Sequence, residues 1–497
     1  MLDKIKRLGT DTAVYGVSTI LGRFLSFLLT PFYANVLPPA ELGTVATVYA
    51  YVAFLTVLYA HGMESAFFRY TASGEKRETF TTAFVSVSVV SVLFTLLLVW
   101  QAGPLAELAS VPAEYGSVGL LAAGILGLDA LAVIPLAALR MERKAKRFAA
   151  IRLSTVAVNV GLNVYFLLSL GLGIEGIFLS NLLSSGFCLG LLVPVILKRL
   201  RPGWSGPLLG ALLRFGLPGV PAGLASMTVQ VINRPILEAL TDRATVGIYQ
   251  ANYRLGIVMM LVVTTFDFAW RPFFMTAAEE PDAQPLFARI LTYFVLFMTV
   301  VFLVFGFFVD DLVRVPILQG RSLLPEAYRS GLPIVPVILL AYLLLGASNT
   351  VAAGIYIRKR TGYLPAAAFT GAAVNIAGNY LLIPRFGMMG AAAATLLSYL
   401  SIGAVHLAIA QRIYPVPYEW GRLAKIGLAG GLVWVLSLFA PGGAAGLSAK
   451  AGLLILFGLL IWAGRFFSAE EARRIAGLMR RRPRSSSPEG TAPASDP

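Results

Sequence analysis

The sequence contains little charge and almost no cysteine or histidine. Lys, Arg, Asp and Glu make up only 13% of its 497 residues, about half of their share in a typical soluble domain. So few charged side chains cannot cover the surface of a large water-soluble protein, which excludes that class. The single cysteine, Cys188, excludes an internal disulfide. His61 and His406 are isolated from other ligands at metal-binding spacing, so we predict no metal site.

Catalytic motifs are also missing. The sequence contains no zinc-protease motif, no phosphate-binding loop and no nucleophile elbow. The glycines of residues 171–176 have the spacing of a dinucleotide fingerprint, but this segment joins two apolar stretches and follows no strand. A membrane-bound polymerase or ligase would need a long outer loop, and the longest predicted here spans only residues 310–330. We therefore predict that the protein is not an enzyme and uses no cofactor.

Long hydrophobic segments dominate what is present. Hydrophobic residues make up 57% of the chain, and apolar runs long enough to cross a bilayer recur along its whole length. The sequence therefore predicts an all-α polytopic membrane protein. Its fourteen predicted spans are residues 10–34, 41–68, 78–101, 115–140, 149–170, 174–198, 208–238, 245–271, 286–309, 331–357, 363–383, 388–411, 420–440 and 446–466.

The distribution of basic residues predicts the orientation of these spans. The formal net charge is +15, and most lysines and arginines fall in alternate loops, as is typical of cytoplasmic segments. Both termini are therefore predicted to be cytoplasmic. The net charge then reflects contact with the anionic inner leaflet, so no nucleic-acid partner is predicted. Only five basic residues fall in predicted outer loops: Arg243, Arg314, Arg321, Arg329 and Arg385.

Two stretches of the sequence repeat each other. Residues 157–184 contain AVNVGLNV, GIEG and NLLS, and residues 373–398 contain AVNIAGNY, GMMG and TLLS in the same order. Matches in one order at nearly one offset indicate an internal duplication, which is common in transporters. The predicted divisions are an N-terminal lobe (1–200, spans 1–6), a C-terminal lobe (201–415, spans 7–12), two further spans (416–466), and a tail with a basic helix and a disordered end (467–497).

Ionisable residues inside the spans are the first candidates for a functional site, because a charge in hydrocarbon is costly. Arg23 and Asp129 lie near the middle of the first and fourth spans, and Arg254 lies within the eighth. For Arg23 and Arg254, both substrate binding and structural pairing, for example with Asp129, stay open. Asp129, Glu64 and Asp267 are predicted to form ion pairs or to take part in ion coupling.

Amide side chains form a second set of candidates. Asn159 and Asn163 are four residues apart and therefore share one face of the fifth span, as Asn375 and Asn379 do in the eleventh. We predict interhelical hydrogen bonds for both pairs, with cavity lining as the alternative. The seventh span contains three further polar residues, for which we predict either interhelical hydrogen bonds or cavity lining: Gln230, Asn233 and Arg234.

Three prolines, Pro218, Pro221 and Pro235, fall within the predicted seventh span. Proline has no amide hydrogen, and its ring blocks the regular helical hydrogen bond. We therefore predict that this span is bent or broken.

Several short motifs resemble those of the Wzx-type polysaccharide flippases. These proteins belong to the multidrug/oligosaccharidyl-lipid/polysaccharide (MOP) exporter superfamily, together with the MATE exporters and the lipid II flippases. The resemblance extends over nearly the whole chain. In chain order the motifs are PFYA at residues 31–34, LP at 37–38, ELG at 41–43, VGIY at 246–249, YRL at 253–255, AWRPFF at 269–274 and GMMGAAAAT at 387–395.

The resemblance implies two six-helix lobes in a V around a central cavity, followed by two extra helices. Lipid II flippases carry essential arginines on their first, second and eighth spans, and Arg23 and Arg254 match the first and the eighth. The second span here has His61 and Glu64 where an arginine is expected, and its first arginine is Arg69 at the inner end. The resemblance therefore implies that Arg23 and Arg254 bind the substrate's diphosphate.

The function implied by the resemblance is flipping of an undecaprenyl-diphosphate-linked oligosaccharide across the bacterial cytoplasmic (inner) membrane by alternating access. O-antigen, capsule and exopolysaccharide repeat units are such cargoes, and polysaccharide polymerase and chain-length proteins are expected partners. No ATP-binding motif is present, so counter-transport of H⁺ or Na⁺ is the expected source of energy. The alternative is a MATE-like antiporter of small molecules or drugs. An exporter of cationic drugs would need acidic residues near the bilayer centre, where this sequence has more arginines.

Overall fold

The computed structural model describes residues 29–72, 76–101, 115–201, 203–316, 320–441 and 443–467, with 22, 25 and 27 as single positions. These residues form helices joined by short loops, and among them the only β-type pairing is an isolated bridge between Pro316 and Ser322. A helix satisfies its own backbone hydrogen bonds, which a membrane-spanning segment requires. The predicted all-α polytopic fold is confirmed.

The chain divides into two compact units, Met1–Tyr418 and Glu419–Pro497. In the first unit, residues 29–36 are helical and lead into the turn before α1. A π-helical segment, Tyr165–Ser169, extends α5 by about one turn. The helices up to residue 199 are α1 (Pro39–Ala60), α2 (Met63–Thr71), α3 (Lys76–Trp100), α4 (Gly116–Met141), α5 (Ala145–Val164) and α6 (Gly173–Arg199).

The rest of the first unit repeats this pattern of long helices with several breaks. The helices are α7 (Gly206–Gly216), α8 (Val220–Val231), α9 (Asn233–Leu240), α10 (Arg243–Leu255), α11 (Ile257–Ala277), α12 (Ala283–Val313), α13 (Glu326–Arg329), α14 (Ile334–Val351), α15 (Ala353–Ile357), α16 (Leu364–Phe386) and α17 (Met388–Ile413). The predicted division of this unit into two lobes, 1–200 and 201–415, stays a prediction.

The second unit contains α18 (Trp420–Ser437) and α19 (Gly443–Ala463), which pack against each other. The guanidinium of Arg422 on α18 lies over the ring of Phe466, 5.5 Å from its centroid. This contact links the start of α18 to the segment that follows α19.

Twelve helices in the described part of the chain are long and apolar enough to cross a membrane. The first predicted span lies mostly outside the described residues. The thirteenth corresponds to α18, which carries Arg422 and Lys425 in its first two turns and is not one of the twelve. The protein is thus a multi-pass membrane protein, and the count of fourteen stays a prediction.

The seventh predicted span is broken, as its prolines predict. A short 3₁₀ segment, Leu217–Gly219, separates α7 from α8, and Pro218 and Pro221 are the second residues of the two pieces that follow α7. A second break at Ile232 precedes α9, which contains Pro235. Missing amide hydrogens at these positions account for the interruptions.

The second span is also interrupted, which the sequence did not predict. His61 and Gly62, between α1 and α2, both have positive φ, 32° and 74°. A Cβ atom on Gly62 would lie 2.1 Å from the carbonyl oxygen of Gly216, so only glycine allows this contact with the end of α7. The backbones of the two broken spans therefore touch where both helices stop.

The duplicated asparagine pairs make the same hydrogen bonds. Asn163 Nδ2 donates to the carbonyl oxygen of Asn159 at 2.8 Å and to its Oδ1 at 3.2 Å. Asn379 Nδ2 donates to the same two atoms of Asn375 at 2.8 and 3.0 Å. In both cases the following helix packs against the helix that carries the pair. The repeat seen in the sequence is therefore also a repeat of local structure.

Helices α1 and α10 approach each other closely at the predicted outer side. A Cβ atom on Gly43 would lie 1.9 Å from the carbonyl oxygen of Arg243, and one on Gly247 would lie 1.9 Å from that of Pro39. Neither position can carry a side chain unless the helices separate. The ELG motif at the start of the second predicted span and the VGIY motif of the eighth thus supply the two glycines of one contact.

The loop around α13 adds hydrogen bonds next to this contact between α1 and α10. Tyr328 Oη donates to the carbonyl oxygen of Leu37 at 2.7 Å, and Asn35 Nδ2 donates to that of Ser322 at 3.1 Å. Asn252 Nδ2 on α10 donates to the carbonyl oxygen of Tyr328 at 2.8 Å. The turn before α1, the loop around α13 and helix α10 are therefore held together on the predicted outer side.

At the other side of the first unit, an ion pair joins the turn after α4 to the end of α6. Arg199 donates to Glu142 through Nε at 2.7 Å and through Nη2 at 2.5 Å. Partial burial tends to raise the pKa of the Glu142 carboxyl, but hydrogen bonds from Arg199 and Lys144 outweigh it and hold that pKa below its usual range. The ionised form is therefore the one that stabilises this corner.

We expect Glu142→Gln to lower thermal stability by about 1 kcal/mol near pH 7, because the pair is partly exposed to solvent. A lowered carboxyl pKa stabilises the fold above the ordinary pKa of glutamate, and this contribution is lost as the pH falls through the lowered value. The difference in Tm between the variant and the wild type should therefore shrink in acid. Glu280→Gln, at an exposed carboxylate, is the control. An equal difference at all pH values would contradict the ion-pair interpretation.

Candidate functional site

A cavity of about 330 Å³ lies inside the first unit. It is bordered by the helical segment that ends at residue 36 and by α1, α4, α5, α6 and α10, so it draws on both predicted lobes. Twelve of its eighteen lining residues are polar or charged, which is unusual within an apolar bundle. The lining residues are Leu29, Thr30, Tyr33, Leu42, Val45, Ala46, Tyr49, Asp129, Arg152, Thr155, Val156, Asn159, Ile177, Asn181, Ser184, Ser185, Gln250 and Arg254.

Arg254 supplies a cation to this cavity from the last turn of α10. Asp242 is the N-cap residue of that helix, and its carboxylate accepts a hydrogen bond from the backbone N–H of Thr245 at 2.9 Å. Its C-cap residue is Gly256, where a Cβ atom would lie 2.5 Å from the side chain of Ile338. Arg254 Nη1 lies 3.3 Å from Thr30 Oγ1, a hydrogen bond that crosses the cavity between the two predicted lobes. Arg23, its predicted partner on the first span, lies outside the described residues.

Asp129 places a carboxylate in the same cavity. Its side chain is exposed even though it lies in the middle of α4, because it borders the cavity. Ser185 on α6 and Arg152 on α5 line the same cavity, and the positive charge of Arg152 acts on this carboxylate. The cavity therefore carries both signs of charge, with two arginines and one carboxylate among its described lining residues.

Tyrosine and asparagine side chains complete the polar wall. Tyr33 Oη donates to Asn163 Oδ1 at 2.8 Å, which joins the helical segment that ends at residue 36 to α5. Asn181 Nδ2 donates to Tyr49 Oη at 2.5 Å, and the Tyr49 ring stacks on Phe178 at 4.9 Å between centroids. Because the Tyr49 hydroxyl accepts from Asn181, its own proton is free to be donated to a ligand.

Asn159 donates to Ser184 Oγ at 3.0 Å and also lines the cavity. Asn163, Asn375 and Asn379 are buried and do not line it. Of the two roles predicted for the asparagine pairs, Asn159 therefore has both. Asn163 has an interhelical hydrogen bond from Tyr33, whereas Asn379 donates to Asn375 within α16.

A buried polar cluster in the predicted C-terminal lobe contains Asn233. Its Nδ2 donates to Tyr249 Oη and to Thr395 Oγ1, both at 2.8 Å, so it joins α9, α10 and α17. Within the described part of the chain, Asn233 Oδ1 and Asn379 Oδ1 have no hydrogen-bond partner. No group of three His, Cys, Asp or Glu side chains that could hold a metal is found in the described residues.

Two of the predicted coupling residues lie away from the cavity. Glu64 on α2 pairs with Arg140 at the end of α4. Asp267 on α11 accepts a hydrogen bond from Asn349 Nδ2 at 2.7 Å. Among the described candidate carboxylates, only Asp129 therefore faces the cavity.

Sequence reasoning missed most of the polar cavity residues, among them Tyr33, Tyr49, Arg152 and Asn181. Tyr33 lies in the PFYA motif, which could have signalled it. Arg152 lies close to the predicted inner end of its span, where arginine is common and carries no signal. Tyr49 and Asn181 are ordinary polar residues in apolar helices, and only the packing of α1 against α6 brings them together.

Comparison with solved structures supports the fold. The chain is similar to the lipid II flippase MurJ in an inward closed conformation, with a TM-score of 0.75, 14% identity, and 91% of this chain and 99% of that chain covered. It is similar to an inward-facing multidrug resistance MATE family transporter of the MOP superfamily, with a TM-score of 0.62, 15% identity and coverage of 78% and 94%. For an outward-facing multidrug resistance MATE family transporter of the MOP superfamily, the TM-score is 0.56, with 13% identity and coverage of 81% of this chain and 95% of that chain.

No curated protein matches the chain by sequence. The sequence profile of one family, described as polysaccharide biosynthesis protein, matches residues 33–322, which is more than half of the chain. This match includes the ELG, VGIY and AWRPFF motifs and most of the residues that line the cavity. The resemblance drawn from the sequence is thereby confirmed: the chain belongs to the polysaccharide biosynthesis protein family and has the fold of the MOP superfamily transporters and flippases.

Proposed function

We propose that the protein flips an undecaprenyl-diphosphate-linked oligosaccharide from the inner to the outer leaflet of the bacterial cytoplasmic membrane. The observation that carries this proposal is the guanidinium of Arg254 in a polar cavity between the two predicted lobes. Arginine binds phosphate oxygens through several charge-assisted hydrogen bonds in a fixed geometry. An O-antigen, capsule or exopolysaccharide repeat unit would supply the sugars.

The cavity is suited to the head of such a substrate. Its volume of about 330 Å³ is near the lower end of the range for small-molecule sites, which is enough for the diphosphate and the sugar next to it. Hydroxyl, amide and carboxylate groups on the wall can pair with sugar hydroxyls. The prenyl chain needs no polar site and would stay in the bilayer.

The closed outer side fits one state of an alternating-access cycle. Release to the outer leaflet requires α1 and α10 to separate at Gly43 and Gly247, and the loop around α13 to leave the turn before α1. Rocking of one lobe against the other about the cavity would achieve both changes. Counter-transport of H⁺ or Na⁺ is the proposed source of energy, with Asp129 as the coupling carboxylate because it is the candidate that faces the cavity.

In this proposal the protein is a transporter without catalytic activity. Polysaccharide polymerase and chain-length proteins would act on the flipped product in the same membrane. A MATE-like antiporter of small molecules is the second candidate, and Asp129 is the observation that favours it, since a cationic drug needs a carboxylate in the cavity.

Purified protein in liposomes tests the two candidates. Flipping of a lipid-linked oligosaccharide can be followed by protection from a membrane-impermeant glycosidase, and export of a fluorescent cationic dye can be measured in parallel. We expect protein-dependent movement of the glycan and none of the dye. Protein-free liposomes are the control. Movement of the dye without movement of the glycan would favour the antiporter.

The orientation can be tested in cells. In a Cys188→Ala background, we expect a cysteine at Lys146 to react only with reagents that reach the cytoplasm, and one at Glu326 only with reagents added outside, because the basic loops are predicted to be cytoplasmic. Both positions are exposed. The measurement is labelling by a membrane-impermeant maleimide before and after permeabilisation. The reverse pattern at either site would contradict the predicted topology.

A further inference from the structure

Gln250 lies one helical turn before Arg254, and both residues line the cavity. Residues four apart share one face of a helix. α10 therefore presents an amide and a guanidinium side by side to the same space. In the proposed function Arg254 binds the diphosphate, whereas the Gln250 amide has only the general role of a polar group on the cavity wall.

The orientation of the Gln250 amide is set by Arg234. Arg234 Nε lies 3.0 Å from Gln250 Oε1. An arginine nitrogen can only donate, so the amide oxygen must face Arg234. The NH₂ group of Gln250 is then the part of the amide left free, and it is a donor.

Arg234 itself is buried, with 6% of its surface exposed, and does not line the cavity. Its Nη1 donates to the carbonyl oxygen of Gln230, and its guanidinium lies 4.5 Å from the ring centroid of Tyr253 and 5.9 Å from that of Tyr249. No carboxylate in the described residues forms an ion pair with it. Burying an arginine without a carboxylate is unfavourable, so this arrangement calls for a role beyond packing.

We propose that Arg234 is a positioning residue that holds the Gln250 amide as a second phosphoryl-binding group, next to Arg254. This inference rests on the proposed function, in which the cavity takes a diphosphate. Two donors one helical turn apart can each engage one phosphoryl group, whereas a monophosphate can engage only one of them. The pair therefore makes the protein selective for a diphosphate lipid over a monophosphate lipid. The positive charge of Arg234 adds to the potential that attracts either anion.

The experiment measures the affinity of the purified protein in nanodiscs for undecaprenyl diphosphate and for undecaprenyl phosphate. The wild type should prefer the diphosphate. Gln250→Leu should weaken diphosphate binding about tenfold, as expected for loss of one hydrogen bond to a charged group, and should leave monophosphate binding almost unchanged. Arg254→Ala should weaken both. Gln284→Leu, in the first turn of α12 and away from the cavity, is the matched control.

Three further arms separate positioning from a merely structural role. Arg234→Met should reduce the preference for the diphosphate when it is introduced into the wild-type protein. It should reduce that preference no further when it is introduced into the Gln250→Leu variant. Arg234→Lys should restore part of the preference, since an ammonium can still donate to the amide. Gln250→Glu should form an ion pair with Arg234 and keep Tm, yet abolish the preference, because the cavity then loses a donor and gains a negative charge.

The results distinguish failure of the positioning role from failure of the proposed function. An unchanged preference in Gln250→Leu, or an equal effect of Arg234→Met with and without Gln250, would overturn the positioning role while leaving the proposed function intact. A wild type that binds neither lipid would overturn both.

Discussion

Arg254→Ala is expected to slow flipping of a lipid-linked glycan by roughly ten- to a hundredfold. One charge-assisted contact between arginine and phosphate contributes about 1.5–3 kcal/mol, and each 1.4 kcal/mol corresponds to about tenfold. Arg254→Lys should recover only part of the rate, because lysine keeps the charge but loses the forked geometry. The measurement is initial flipping rate in liposomes at matched protein amounts. From the sequence alone, Arg23→Ala is expected to behave in the same way.

A structural role for Arg254 predicts a different result. If its charge only neutralised Asp129, then removing both charges would restore the fold and the activity. The double variant Arg254→Ala/Asp129→Ala therefore provides the control. We expect it to be no more active than Arg254→Ala. A double variant as active as the wild type would contradict diphosphate binding and leave an ion pair across the cavity.

Gly247→Ala is expected to prevent closure of the predicted outer side. The added Cβ would lie 1.9 Å from the carbonyl oxygen of Pro39 and 2.9 Å from the backbone nitrogen of Gly43. These are backbone atoms, which cannot rotate away as a side chain could, so α1 and α10 must separate. Overpacking of this kind costs about 1–3 kcal/mol. The closed state should therefore be depopulated by roughly five- to a hundredfold relative to the open state, and flipping should slow because one step of the cycle is blocked.

Accessibility of the cavity from outside measures this shift. Val45 lines the cavity on α1, so Val45→Cys in a Cys188→Ala background reports on access by an impermeant maleimide. Labelling should be faster when Gly247→Ala is added. Gly190→Ala is the matched control, because a Cβ atom there would meet nothing within 4 Å. Unchanged labelling and flipping in Gly247→Ala would show that the contact between α1 and α10 does not close the cavity.

The positions of individual charges show where sequence reasoning reached its limit. The sequence marked Asp129, Glu64 and Asp267 alike as carboxylates within spans, but Asp129 borders the cavity, Glu64 pairs with Arg140, and Asp267 accepts from Asn349. Depth in the membrane can be read from position along a span. The direction in which a side chain points depends on which helices surround it.

The sequence by itself determined the properties that the bilayer imposes on each segment separately. Apolar length gives spanning helices, because the backbone must satisfy its hydrogen bonds within the segment. Pro218 and Pro221 break the seventh span because proline lacks an amide hydrogen. The spacing of Asn159 and Asn163 places them on one face by helix geometry alone. The short motifs were enough to indicate the family.

Only the tertiary structure decided which residues from different helices meet. It brought Arg254, Arg152 and Asp129 to one cavity, placed Arg234 behind Gln250, and set Gly43 against Gly247. Hydropathy distinguishes lipid from water, but lipid and the interior of a helix bundle are almost equally apolar. The lateral packing of helices therefore depends on shape, small residues and buried hydrogen bonds, and these contacts between distant segments leave no periodic signal in the chain.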